Sequence, residues 1–502
     1  MTVLLAIDGG TESLRAAAFT LDGQCLGMKA APYPVHFLPG GRAEQRPADW
    51  WSALATAVGG LLGETGIDPA RIEAVCLDTT CCTLLPVDRD GKPLCDALMW
   101  MDVRGASEAA EVSATHDPFL QVNGGGETAV QAEWMIPKAL WLKRNAPDIY
   151  RRAATIYEYQ DHLNRLLTGR ITGSKSGMVG RWHYLPDRGG WPSAIFSAVG
   201  LEDIVEKLPR DILGPGELVG PLLPQAAAAL GLKAGTPVIQ GGADAYLAVI
   251  GMGVAAPGEM ALVTGSSHLL LAVTDRPFHR KGVLGTFRDA VYAGRWIADG
   301  GLTSSGSALA WLRSTAAPAM SFESLSAEAA KAPVGCDGLI ALDHLQGNRS
   351  PYSDPLARGA FVGMSLDHTI SHLARAMMEA VCFGTRLIVD NYEESLSIDR
   401  VVACGGATKS PFWMQMHADT LNKTIEVPAF LDAPLMGCAI VAAVGLGHYA
   451  DIDRAAAAMV RIDQRYVPDP RNARRYQAIY RSYVTLYHAL RDWRNANSGI
   501  QA

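Results

Sequence analysis

The chain has 502 residues, 49% hydrophobic and 19% charged, the balance of an ordinary globular protein long enough for roughly three domains of ~150 residues or two large α/β ones. Lys and Arg number 44 against 51 Asp and Glu, a formal charge of −7 with no basic stripe, which argues against nucleic acid as a partner. No apolar run approaches the ~18 residues of a membrane span, so no membrane partner is expected, and Met1–Ile7 lacks the basic start of a signal peptide. Nine cysteines, mostly among apolar neighbours (Cys76, Cys382, Cys404, Cys438), indicate buried reduced thiols and a cytoplasmic location.

Leu4–Ile7 reads as a buried strand that breaks at Asp8-Gly9-Gly10-Thr11-Glu12-Ser13 and resumes as Leu14–Phe19, with a third strand near residues 25–30. The N–H groups and hydroxyls of that first turn suit a phosphate, and Asp8 suits a hydrated divalent cation. Helical spacing follows over Ala48–Leu62, with Pro47 near its start. Another strand, Ile72–Asp78, leads into Thr79–Val87, where the pair Cys81-Cys82 reads as packing or pocket lining. After a turn at Asp88–Gly91, Trp100, Asp102 and Arg104 alternate and on a strand would share one face. Such a face is either a polyol-binding plate or a cross-strand ion pair beside a core Trp. Residues 127–145 are expected to be helical with a bend at Pro137, residues 157–167 helical up to Thr168-Gly169, and residues 174–184 a loop.

Residues 235–240 form a strand entering Gly241-Gly242-Ala243-Asp244-Ala245-Tyr246. An acid on this glycine-flanked bend either caps the next helix or faces a cleft and takes a proton from a substrate hydroxyl. Glu259–Val273 then repeats the plan of residues 4–19: apolar strand, a Thr264-Gly265-Ser266-Ser267 turn, apolar strand. Two such hairpins imply a duplicated α/β chain, divided into residues 1–254 and 255–502, with a ligand cleft between the halves. Asp244 lies at the junction, which favours the cleft reading. Asp299–Gly306 precedes a helix near Ser307 and offers N–H groups to an anion. Gly405-Gly406-Ala407, between a strand and the helix Pro411–Leu421, offers backbone to a nucleotide's base and ribose. A tail helix over residues 472–497 carries Tyr476, Ile479, Tyr483, Leu486 and Leu490.

These motifs resemble the FGGY carbohydrate kinase family. The most specific stretch is Gly359-Ala360-Phe361-Val362-Gly363-Met364 followed, seven residues on, by His372-Leu373-Ala374-Arg375-Ala376-Met377-Met378-Glu379. The resemblance implies two duplicated actin-like ATPase (ribonuclease H-like) domains around a central cleft, and an ATP-dependent sugar kinase. It implies Asp244 as general base and Asp8 as the residue that holds Mg²⁺. It assigns ATP to Gly10, Thr11, Ser13, Arg15, Thr264, Gly265, Ser266, Gly301, Ser305, Gly405, Gly406 and Ala407. The stretch Asp78–Val87, with Trp100-Met101-Asp102, is similar to the ribulokinase branch. That likeness gives the sugar Cys81, Cys82, Trp100, Asp102, Arg181, Asp244, Tyr246 and Asp299. Asp299 stands where that branch carries a Glu, and Tyr246 where relatives often carry His. A ribulose-type ketopentose is the expected substrate, ahead of xylulose and of small polyols such as erythritol or glycerol. A non-catalytic sugar- or ATP-binding regulator is the rival from another class, and a homodimer stays open as the assembly.

Overall fold

The computed structural model describes residues 2–496. Two sheets repeat one topology. The first comprises β1 (Val3–Gly9), β2 (Ser13–Phe19), β3 (Cys25–Pro32), β4 (Ile72–Thr79), β5 (Leu218–Pro221) and β6 (Pro237–Ala243), in spatial order β5-β6-β4-β1-β2-β3. The second comprises β7 (Glu259–Thr264), β8 (His268–Thr274), β9 (Gly285–Arg288), β10 (Trp296–Leu302), β11 (Arg400–Gly405), β12 (Ile425–Pro428) and β13 (Ile462–Tyr466). Its order is β13-β12-β11-β7-β8-β10-β9, the first order with one strand added. β1 pairs antiparallel with β2 and parallel with β4, as β7 does with β8 and β11. The repeated hairpin in the sequence is therefore the nucleus of each sheet.

Alternation along these strands distributes the core. Leu5 and Ile7 face one side of the first sheet, where α1 (Pro47–Thr65) buries Trp50, Leu54, Val58 and Leu61. Pro47 opens that helix, and Gly66, left-handed at φ 64°, closes it with its N–H on the Leu62 carbonyl. Leu4 and Ala6 face the other side and join Ala261, Leu271 and Val402 of the second sheet in a shared central layer. That layer contains α5 (Asp244–Gly251) and α9 (Ala433–Gly445). The two helices touch backbone to backbone. A Cβ on Gly251 would sit 1.9 Å from the Ala433 carbonyl oxygen, and one on Gly437 2.1 Å from that of Leu247. The second half of the chain thus reaches back to pack on the first sheet. Met260 and Leu262 point outward onto α7 (Ile370–Glu393).

Several local expectations are corrected. The helix expected over residues 127–145 is only α2 (Met135–Asn145), and Pro137 lies in its first turn, where a missing N–H costs no intrahelical bond. Residues 155–157 are strand, and α3 (Tyr159–Thr168) starts after it. The expected loop at 174–184 contains α4 (Lys175–Arg181). The tail helix α10 (Pro470–Ala496) buries Tyr476 and Tyr483 as expected, adds Tyr480 and Tyr487, and packs Ile479, Leu486 and Leu490 partly buried against the same core. Asn497 lies outside the described residues. The signature on α7 is largely structural: Arg375 and Glu379 form a buried ion pair at 2.9 Å, and Tyr476 hydrogen-bonds to both.

All nine thiols are free. Among the described residues no helix is long and apolar enough to cross a membrane.

Candidate active site

Three acids stand at the carboxyl ends of three adjacent parallel strands, the edge where α/β sheets bind ligands. Asp8 of β1 is in register with Asp78 of β4, and Ala243 of β6 pairs with Thr79, so Asp244 follows at the same edge. The glycines before Asp244 are required by close approach. A Cβ on Gly241 would lie 2.1 Å from the Leu77 carbonyl oxygen, and one on Gly242 2.9 Å from Ser176 Oγ. Ser176 in turn accepts the Ala243 N–H at 3.0 Å, tying the bend to α4. Asp244 opens α5 without capping it; Ala243 is the cap residue, and Asp244 Oδ1 accepts only the neighbouring Ala245 N–H at 2.7 Å.

Arg15, opposite Asp8 on β2, pairs with Asp8 and with Asp432 from the far end of the chain. Asp8 Oδ1 and Asp78 Oδ1 are buried without a partner. Burial raises the carboxyls of Asp8 and Asp78, in the first case against the pull of Arg15. Asp244 is pushed up to about 7, first by burial and then by the negative charge of Asp8, with Arg15 and Arg181 opposing. An acid poised near neutrality suits proton abstraction at physiological pH.

The two glycine–hydroxyl turns are braced alike. In the first, Gly10 N–H closes on the Ser13 carbonyl at 3.0 Å. The carbonyls of Gly10 and Thr11 accept from the Tyr33 hydroxyl and from Gln45 Nε2. In the second, Gly265 N–H closes on the Ser267 carbonyl at 2.8 Å, and the carbonyls of Gly265 and Ser266 accept from the N–H groups of Gly306, Ser305 and Ser307. In a planar trans peptide the C=O of one residue and the N–H of the next point oppositely. Pinning those carbonyls therefore turns the N–H groups of Thr11 and Glu12, and of Ser266 and Ser267, away from the braces, as an anion cradle needs. Of the residues assigned to ATP, Ser305 gives its N–H to the bracing. Gly301 lies inside β10 with its N–H on Ser350 Oγ, and the first N–H groups of α6 (Gly306–Ala316) are occupied by the turn's carbonyls. The expected anion site at that helix start is thereby corrected.

Thr264 and Gly405 pair across β7 and β11. Thr264 Oγ1 donates to the Cys404 carbonyl at 2.6 Å and accepts the Ala407 N–H at 3.1 Å. Gly405 has φ 93°, and a Cβ there would lie 2.1 Å from the Thr264 carbonyl oxygen. The Gly405–Ala407 turn is thus fastened to the second glycine–hydroxyl turn before α8 (Pro411–Leu421) begins.

Arg181, at the end of α4, reaches across the halves to Asp299 of β10 at 3.0 Å, and the Tyr246 hydroxyl approaches the same Asp299 oxygen at 3.4 Å. Asp299 Oδ1 is buried without a partner, so a ligand hydroxyl can satisfy it. The Cys81 and Cys82 side chains lie close to the Arg181 guanidinium. Trp100 is 37% exposed, and its indole N–H donates to Thr11 Oγ1 at 3.1 Å.

Residues 3–251 match the N-terminal domain of the FGGY family of carbohydrate kinases, and residues 260–446 match its C-terminal domain. The chain belongs to the FGGY family. The ribulokinase of Bacillus licheniformis is 33% identical over 91% of this chain and 89% of its own. The xylulose kinase of Bacillus subtilis is 27% identical, covering 99% of both. The solved xylulose kinase from Rhodospirillum rubrum superimposes with a TM-score of 0.88 at 27% identity, over 98% of this chain and 99% of that one. The chain is an ATP-dependent carbohydrate kinase, and the duplicated sheets are its actin-like fold.

In this FGGY kinase Asp102 is corrected from sugar contact to brace. The strand expected through residue 104 ends at Leu98, so Trp100, Asp102 and Arg104 share no strand face. Asp102 is fully buried, accepting from Ala43 N–H at 2.8 Å and from the Arg104 guanidinium. Cys82 is buried as well, leaving Cys81 as the partly exposed thiol. The site also contains residues that local motifs did not reveal. Asp78 and Asp432 complete the charge cluster around Arg15, and Lys138 and Glu158 lie behind Cys82. Lys138 left one signal, a lone lysine within Met135-Ile136-Pro137-Lys138-Ala139-Leu140.

Proposed function

We propose that this kinase transfers the γ-phosphoryl group of ATP to a terminal hydroxyl of a ketopentose of the ribulose type, with Asp244 as the general base. The observation carrying this reading is the position of Asp244, between the Asp8 turn on one side and Arg181 with Asp299 on the other, with its carboxyl held near neutral pH. Phosphoryl transfer asks for positioning and charge neutralisation more than covalent chemistry. The Thr11–Glu12 and Ser266–Ser267 N–H groups would receive the phosphates, and the Gly405–Ala407 turn the adenosine. Asp299 would accept a sugar hydroxyl on its free Oδ1 while Arg181 holds the other carboxylate oxygen. Asp244 would take the proton from the attacking hydroxyl and return it to solvent after transfer.

The donor set fits Mg²⁺. Asp8 offers an unpartnered carboxylate oxygen beside the first turn, and Mg²⁺ is commonly held by one or two carboxylates plus substrate phosphates. No cage of three acidic, His or Cys ligands exists among the described residues, and none is needed. Bound there, the ion would neutralise phosphate charge.

The choice of ribulose over xylulose is supported by the 33% identity to a ribulokinase against 27% to a xylulose kinase. The test of the base is Asp244→Ala. ATP affinity by calorimetry should stay within about threefold, while turnover falls by roughly 10²–10⁴. A parallel loss of ATP affinity would contradict the assignment.

A further inference from the structure

Beneath the sugar pocket, Cys82 adopts a left-handed backbone conformation, φ 64°, which a side chain rarely takes unaided. Both of its backbone polar groups end on buried charges. The N–H donates to Glu158 Oε2 at 2.8 Å, and the carbonyl accepts from Lys138 Nζ at 2.7 Å. Lys138 is wholly inaccessible to solvent, and its ammonium makes a second bond to the Met99 carbonyl, one residue before Trp100. Glu158 stands against α4: a Cβ on Gly177 would meet its Oε1 at 2.8 Å, one turn before Arg181. A buried ammonium costs several kcal/mol unless it serves a purpose or is well paired. Here the two charges do not pair directly; each holds one end of the same residue.

We propose that Lys138 and Glu158 are positioning residues for the sugar: they hold Cys82 left-handed and, through Met99, fasten the Trp100 turn to it. Floor and wall of the pocket are then set before substrate arrives. The inference rests on reading Cys81, Cys82 and Trp100 as the sugar's surroundings. The sequence carries no motif for it, since the lysine lies on α2, the glutamate is the residue that caps α3, and they meet only at residue 82.

Lys138→Met and Glu158→Leu test it, each alone and in a Cys82→Gly background, with sugar KM, ATP KM and amide hydrogen exchange over residues 79–85 as readouts. Leaving a buried carbonyl unpaired predicts a sugar KM raised roughly tenfold or more by Lys138→Met, with ATP KM within about twofold. Exchange over residues 79–85 should quicken by a similar factor. Glycine takes a positive φ without help, so in the Cys82→Gly background the same substitution should change sugar KM by about threefold or less. An equal factor in both backgrounds overturns the proposal, as does a joint rise of both KM values. If Lys138→Met does not fold, Glu158→Leu is read by the same criteria. Should the unmutated enzyme turn over no pentulose, the functional reading fails while hydrogen exchange still decides the clamp. Unchanged exchange in both variants would overturn it.

Discussion

The titration of Asp244 offers a quantitative check on the mechanism. Its carboxyl is lifted to about 7 because burial disfavours the anion and Asp8 adds like charge. The base must be ionised, so activity belongs to the alkaline side and is lost as pH falls through that value. With a pKa near 7, about a tenth of the enzyme carries an ionised base at pH 6 and about nine tenths at pH 8. The expected profile of kcat/KM for sugar, at saturating ATP and Mg²⁺, is a limb of unit slope at low pH and a plateau above it, with the midpoint at or below about 7 because an ion on Asp8 offsets the like charge that helps lift Asp244. Glu158 is also raised to about 7 by burial. A Glu158→Gln variant removes that titration and leaves an acceptor for the Cys82 N–H, so the limb should persist in it. Coupled ADP release between pH 5.5 and 8.5 is the assay. A flat profile, or a limb that vanishes with Glu158→Gln, would refute the assignment of the base.

Other consequences are structural. Gly437→Ala forces a methyl group to 2.1 Å from the Leu247 carbonyl oxygen between α5 and α9. An overpacking cost of about 1–3 kcal/mol predicts a Tm lower by roughly 1–6 °C in a chain of this size. Gly59→Ala on the exposed face of α1, where a Cβ meets nothing within 4 Å, should be neutral or stabilising. Equal melting curves for the two would mean that the helices do not meet as described. Trp100→Ala should raise sugar KM severalfold while leaving ATP KM within about threefold, since the indole also steadies Thr11 by only one hydrogen bond. A change confined to ATP KM would move the sugar pocket elsewhere.

Much of the fold was legible because its signals are local. Each sheet is founded on a strand–turn–strand unit whose apolar runs and glycine–hydroxyl turn occupy fewer than twenty consecutive residues, and α1 carries its own proline start and glycine stop. The glycine pair before Asp244 was visible too, although its cause, the Leu77 backbone and Ser176, lies in other elements. The illegible parts depend on distant partners. Arg15 and Asp432 are separated by 417 positions. Trp100, Asp102 and Arg104 alternate as a strand would, but Asp102 is drawn into the Ala43 N–H and the Arg104 guanidinium, and the chain turns instead. Gly177 and Gly180 suggested a loop. In the structure they are the helix positions that let Glu158 and Tyr246 approach α4.

The most direct test of the central claim is ADP release with ATP and Mg²⁺ across D-ribulose, L-ribulose, D-xylulose, L-xylulose, erythritol and glycerol. One ribulose isomer should be preferred by roughly a hundredfold in kcat/KM, a discrimination that a buried acceptor such as Asp299 can impose on a misplaced hydroxyl. A polyol turned over faster than every ketopentose would contradict it.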